Sequence, residues 1–160
     1  MSKSNKIARI QIERSDISSL LEFDSNGIFG ESPHAPPPLT RHEIEIALQR
    51  GDEIYWLVAS HQNRIGYYWI EFQEDSVYLA SIVIASHARG QGLSHVVMNW
   101  IEETARNKGY SVCTLAVDPT NSRAISLYEK HGYSVIEKRP AYFGPQYPNT
   151  VRLIMSKKVF

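Results

Sequence analysis

Three runs in the middle of the chain, "EIYWLVAS" (53–60), "RIGYYWIEF" (64–72) and "VYLASIVIA" (77–85), are crowded with aromatic and β-branched side chains. Such residues pack well on a pleated surface and predict three strands. The polar separators "HQN" and "QED" are short enough for hairpins, so these strands run antiparallel. Beyond residue 92 the period changes. Leu93, Val96, Val97, Trp100, Ile101 and Thr104 recur at helical spacing and form one stripe facing the sheet, and Lys108 with Gly109 closes the helix. A strand follows at Ser111 to Val117, then a helix from about Asn121 to His131 that carries Ala124, Leu127, Tyr128 and His131 on one face and ends at Gly132. Two more strands, near Tyr133–Arg139 and Thr150–Lys157, finish the pattern.

Toward the N-terminus, Ile7 to Glu13 reads as a strand and Ser15 to about Phe23 as a short helix. The prolines of "SPHAPPPLT" (32–40) exclude helix and sheet interior. Thr40 with Glu43 three residues on is a capping box for a helix through Arg50, which Gly51 closes. The order β-α-α-β-β-β-α-β-α-β-β predicts one α/β domain over 1–160. It has a mixed, mostly antiparallel sheet of about seven strands with helices on both faces.

Lys plus Arg number 17 and Asp plus Glu 17, so the formal net charge is zero. That removes the broad basic field a nucleic-acid or anionic-membrane partner calls for, although a local patch stays open. Cys113 is the single cysteine and lies in the apolar run "SVCTLAV". No internal disulfide can form, a reducing cytoplasmic setting is expected, and a buried inert thiol is favoured over a nucleophile. The sequence shows no leader-like apolar segment and no run of the ~18 apolar residues that a membrane span needs.

"SHARGQGLS" (86–94) puts flexible residues at the entrance of the best helix. The first amides of a helix have no internal partner and sit at the positive end of its dipole, so a strand, a glycine turn and a helix make an anion site. Gly90, Gly92 and Ser94 keep the main chain accessible and Arg89 adds a charged donor. The alternative is a plain tight turn with a solvated Arg89. A dinucleotide fingerprint fits poorly, because its third glycine position is His95 and three antiparallel strands precede it.

Arg89-Gly90-Gln91-Gly92-Leu93-Ser94 resembles the R/Q-x-x-G-x-G/A signature of the GNAT family, the GCN5-related N-acetyltransferases, with Ser94 where glycine or alanine is usual. "NSRAISLYEKHGYSVIEKR" (121–139) is similar to the family's other block, N-x-x-A-x-x-L-Y-E-K-x-G-F, with Tyr133 for phenylalanine. The two blocks stand one helix and one strand apart, as in the family, and the likeness covers nearly the whole chain. It implies a single-domain GNAT fold and acetyl-CoA as acyl donor, with no metal. The coenzyme's diphosphate would lie on residues 89–94 and its pantetheine along Ile82, Val83 and Ile84. Asn121 would cap its helix or bond the pantetheine, and Tyr128 would protonate the departing thiolate. The bland alternative for Tyr128 is a core residue.

The strand glutamate that some N-terminal amine acetyltransferases of the family carry is absent, since Ala116 takes its place by register; Glu71, Glu74, His87 and Asp118 are candidate bases, directly or through water, or the amine arrives neutral. Glu71 is also a candidate contact to the acceptor, in a strand whose poor alternation leaves its direction open. Residues 139–155 resemble the tail of the ribosomal-protein N-terminal alanine acetyltransferases, which implies that Tyr142 and Phe143 wall the acceptor groove opposite the Pro-rich loop 33–38. Covering the core edge is their alternative role. The expected reaction is acetyl transfer to a primary amine, a peptide N-terminus or a small molecule, by direct attack in a ternary complex. Two other functions stay open: a non-catalytic acyl-CoA-binding module, and a toxin that acetylates aminoacyl-tRNA, which the neutral charge disfavours. Homodimers occur in the family.

Overall fold

The computed structural model describes residues 6–25, 39–140 and 150–160. The elements are β1 (Ala8–Gln11), α1 (Ile17–Ser25), α2 (Arg41–Gln49), β2 (Glu53–Val58), β3 (Arg64–Phe72), β4 (Ser76–Ile84), α3 (Leu93–Asn107), β5 (Val112–Val117), α4 (Ser122–Lys130), β6 (Ser134–Pro140) and β7 (Val151–Lys158). One seven-stranded sheet takes the order β1-β2-β3-β4-β5-β7-β6. Every neighbouring pair is antiparallel except β4 and β5. The predicted order and the mixed, mostly antiparallel sheet are both present.

Two cores explain why β3 reads as an unbroken apolar run. Tyr68 and Ile70 point into one cluster with α3 and Tyr128 of α4, whereas Tyr67 and Trp69 point into the other with Ile17, Leu20 and Ile44 of α1 and α2. A strand covered on both faces has no polar side to alternate with. β5 keeps the alternation: Cys113, Leu115 and Val117 enter the α3 cluster, which turns Thr114 and Ala116 to the opposite face.

The differences from expectation lie at element ends. The first strand spans only Ala8–Gln11, and a 3-10 turn at Arg14–Asp16 precedes α1, where Asp16 Oδ2 accepts from the Glu13 amide at 2.8 Å. β2 stops at Val58, because Ser60–Gln62 forms a second 3-10 turn with His61 and Gln62 at positive φ. Thr40 caps α2 as predicted, its hydroxyl accepting from the Glu43 amide at 3.2 Å. On α3, Met98, Glu102 and Ala105 are buried along with the predicted stripe, while Val96 and Trp100 are only half-buried.

The sheet opens in its middle. β4 and β5 pair only from Ser76 with Val112 to Leu79 with Leu115. On its other side β4 slips one residue against β3: Ile70 stands opposite Leu79 and Trp69 opposite Ser81, which leaves Ala80 as a bulge. A bulge adds twist and bends its strand. β4 therefore turns away where its bonds to β5 end, and β5 follows β7 up to Val117 opposite Leu153.

Candidate active site

The wedge between β4 and β5 is the floor of a cavity of about 1230 Å³. Antiparallel pairing decides which β4 groups face it. Ala85 donates to Ile65 O at 2.8 Å on the β3 side, and Val83, two residues back, presents its carbonyl to Gly66 on that same side. Ile82 and Ile84 thus turn their main-chain edges toward the wedge. Ile84 O accepts from Arg89 Nε at 2.9 Å; Ile82, Val83 and Ile84 all line the cavity.

α3 begins at the rim of this cavity. Its N-cap is Gly92 at φ 76°, with no side-chain capping bond, and its first turn holds no acidic residue. Thr40 and Asn121, by contrast, cap α2 and α4 with side-chain oxygens. The first α3 amides, Leu93, Ser94 and His95, are left to a ligand or to water at the positive end of the dipole. A Cβ on Gly90 or Gly92 would meet nothing within 4 Å, so these glycines serve the left-handed backbone rather than packing. Arg89, Gly90, Gly92, Leu93 and Ser94 line the cavity; Gln91 is exposed and lies outside its lining.

Tyr128 comes to the same cavity from α4. It is 8% exposed, with its ring edge-on to Tyr133 at 6.3 Å, and burial pushes its hydroxyl up to about 12. Among the described residues nothing hydrogen-bonds that hydroxyl, although the ring packs in the core. Both roles offered by the sequence are thus compatible with its position. Asn121 lines the cavity too, and its Oδ1 accepts from the Ala124 amide at 3.2 Å, so the cap is formed.

The candidate bases are dispersed. Asp118 lines the cavity but is engaged: Oδ1 accepts from the Thr120 amide at 2.8 Å and hydroxyl at 2.6 Å, and Oδ2 from Arg152 at 3.1 Å. Glu71 stands opposite Tyr78 on the face away from α3, outside the cavity lining, and pairs with Arg50. Burial raises its carboxyl more than Arg50 lowers it. Glu74 and His87 are exposed in turns. Cys113 is a buried thiol pushed up to about 11, chiefly by burial, which makes a reactive thiolate unavailable at neutral pH. Tyr142, Phe143 and the Pro-rich loop lie outside the described residues.

Sequence reasoning passed over the groups on the far side of the wedge. Tyr78, Arg139 and Arg152 line the cavity, and Arg139 stands directly opposite Arg152 across β6 and β7. No local motif marks them; their meeting depends on strand register. Missed as well was the stacking of His95 on His131, with ring centroids 4.6 Å apart, which ties the first turn of α3 to the end of α4. Among the described residues no group of three or more His, Cys, Asp or Glu side chains could hold a metal ion, and no helix is long and apolar enough to cross a membrane.

Known proteins share this fold. The ribosomal-protein-S18-alanine N-acetyltransferase of Escherichia coli superposes with a TM-score of 0.78 at 16% identity, over 96% of this chain and 94% of that one. A GNAT family acetyltransferase of Elizabethkingia anophelis, solved with acetyl-CoA bound, does so with a TM-score of 0.71 at 17% identity, over 98% and 99%. At such identities the likeness is one of fold. In sequence, 139 residues are 27% identical to the mycothiol acetyltransferase of Jonesia denitrificans; they cover 82% of this chain and 44% of that protein, so the chain spans less than half of this relative's length. Residues 17–133 match the model of the acetyltransferase (GNAT) family, a stretch that holds the wedge, the glycine turn and Tyr128 together. By that match the chain belongs to the GNAT family.

Proposed function

We propose that the chain, acting as one domain, is an acetyl-CoA-dependent N-acetyltransferase that acetylates a primary amine, a peptide N-terminus or a small molecule, by direct attack in a ternary complex. One observation carries the reading: a helix N-terminus with no side-chain cap, an open strand edge and a protonated phenol, the last unbonded among the described residues, share one cavity. These residues fit a coenzyme with a diphosphate at one end and an amide-bearing arm at the other. Acetyl-CoA supplies the acyl thioester when bound. The α3 amides and Arg89 hold the diphosphate, and Gly92 keeps side chains out of its way. The Ile82 and Ile84 edges take the pantetheine amides as an added strand would, and Asn121 borders that arm.

Tyr128 Oη gives its proton to the sulfur as the C–S bond breaks and the N–C bond forms, while the proton shed by the attacking nitrogen passes to solvent, from which the phenolate is reprotonated. Ala116 offers no base and Asp118 is held by Thr120 and Arg152, so the amine enters as its free base from solution. The single cysteine suits a reducing, cytoplasmic setting. Release of free thiol from acetyl-CoA, measured across a panel of amines and N-terminal peptides, tests the reading. Coenzyme binding without thiol release for any amine would leave a binding module instead.

A further inference from the structure

We propose that Arg139, Arg152 and Tyr78 form a subsite for a carboxylate on the amine acceptor. This rests on the N-acetyltransferase reading and names the class of amine it takes. β5, β7 and β6 present one row of side chains away from α3: Asp118 on β5's end, Arg152 on β7 and Arg139 on β6, with Ala116 and Ile154 in the neighbouring row. Two guanidinium groups directly opposite each other on one sheet face repel, so such a pair needs anions beside it.

Among the described residues two stand there, and they hold unequally. Arg152 is 15% exposed in its side chain and is pinned by Asp118 at 3.1 Å, in a carboxylate that also serves Thr120. Arg139 is 59% exposed and is held by Glu137, two residues along the same strand, at 2.7 and 3.3 Å. An exposed pair of that kind contributes little, so an incoming carboxylate replaces Glu137 on Arg139 at small cost. Arg152 is thus a fixed wall and Arg139 an exchangeable clamp. Guanidinium forks match a carboxylate two bonds at a time.

Tyr78 supplies the third side. It lies opposite Thr114 on β5, lines the cavity, and has no hydrogen-bond partner for its hydroxyl among the described residues. Burial and then Glu71 push that phenol up, while Arg152 and Arg139 both pull it back, which puts the two cations within its electrostatic reach. Tyr78 lines the same cavity as the two guanidinium groups, so its neutral phenol adds a third donor to theirs.

The test uses the full chain, acetyl-CoA and matched acceptors: free amino acids against their amides, and short peptides with glutamate or alanine in second place. Thiol release gives kcat/KM for each. The carboxylate partner of at least one pair is expected to be preferred by roughly 10- to 100-fold, mostly through KM. The amino-acid pair winning identifies an α-carboxylate, and the peptide pair an acidic side chain. Arg139→Gln should bring the ratio close to one and Arg139→Lys restore part of it; Arg152→Gln should act likewise. Retained coenzyme-induced thermal stabilisation shows that each variant is folded. Equal turnover of acids and amides, or a preference that survives both glutamine variants, overturns the subsite while acyl transfer stands. No thiol release with any acceptor overturns both.

Discussion

Leu79 and Leu115 are the last residues at which β4 and β5 stand paired, and one residue further on β4 bulges at Ala80 while β5 keeps its register with β7. The opening between them is therefore set by strand register. Small side chains border it, Ala80 on one strand and Ala116 on the other. Filling it should block the coenzyme without unfolding the sheet. Ala116→Trp is expected to weaken coenzyme A binding at least ~30-fold in titration calorimetry, while its far-UV dichroism stays that of the parent. Unchanged affinity would place the pantetheine arm elsewhere.

The turn before α3 separates two effects that glycine often confounds. Gly92 sits at φ 76° with empty space where a Cβ would go. Gly92→Ala should cost about 1 kcal/mol of stability through backbone strain alone. Gly92→Glu meets the same strain and adds a carboxylate where the amides and dipole favour an anion. It should abolish coenzyme binding while melting close to the alanine variant. A glutamate variant that bound normally would remove the diphosphate from this helix end.

Tyr128 sets the proton inventory. Because burial holds its hydroxyl near 12, it stays protonated as pH rises through the neutral and mildly alkaline range. An acid of this kind gives no falling limb there, whereas the amine gains reactivity as it loses its proton. The expected kcat/KM profile rises with pH and reaches a plateau, with no decline below about pH 10. Tyr128→Phe should lower kcat by ~10²–10⁴ and leave coenzyme affinity nearly unchanged. Full turnover in the phenylalanine variant would reduce Tyr128 to packing.

Cys113 gives a check on the core that is independent of catalysis. It is 1% exposed and its thiol is pushed up to about 11 by burial, above its ordinary value of 9.0. The native protein should resist alkylation at pH 8 and react fully in concentrated urea. Between about pH 9 and 11 the unfolded chain loses this proton and the folded one keeps it, so stability should decline through that window. Ready native labelling would mean that this part of the α3 core opens.

Much of this was written in the chain. The aromatic runs gave β2, β3 and β4, the 3.6-residue stripe gave α3, and the two motif blocks brought the glycine turn and Tyr128 to one cavity. Local signals sufficed because each of those elements is amphipathic or capped by itself. Element ends moved where backbone bonds overrode pattern, as at the 3-10 turns beside β1 and β2. What could not be read was register. The pairing of Arg139 with Arg152, and the cavity they share with Tyr78, arise from strands far apart in sequence. Glu71 was undecidable for a related reason: β3 is covered on both faces, and polarity along it carries no sign of direction.

Gly66 links the fold to the wedge most directly. Its neighbour across the β3–β4 pair is Ile84, and a Cβ built on it would fall 2.2 Å from Val83 O, 3.1 Å from Leu57 Cδ1 and 3.2 Å from Ile84 Cα. Two of these atoms are backbone, so rotamer changes cannot relieve the clash and β4 itself has to move. The stretch displaced is Val83–Ile84, beside the coenzyme edge. Gly66→Ala should therefore lose about 2–4 kcal/mol in denaturant unfolding and bind coenzyme A at least ~10-fold more weakly even where it is fully folded. A variant destabilised but with parental affinity would show that the edge tolerates displacement, and that the contact of β3 with β4 matters to folding alone.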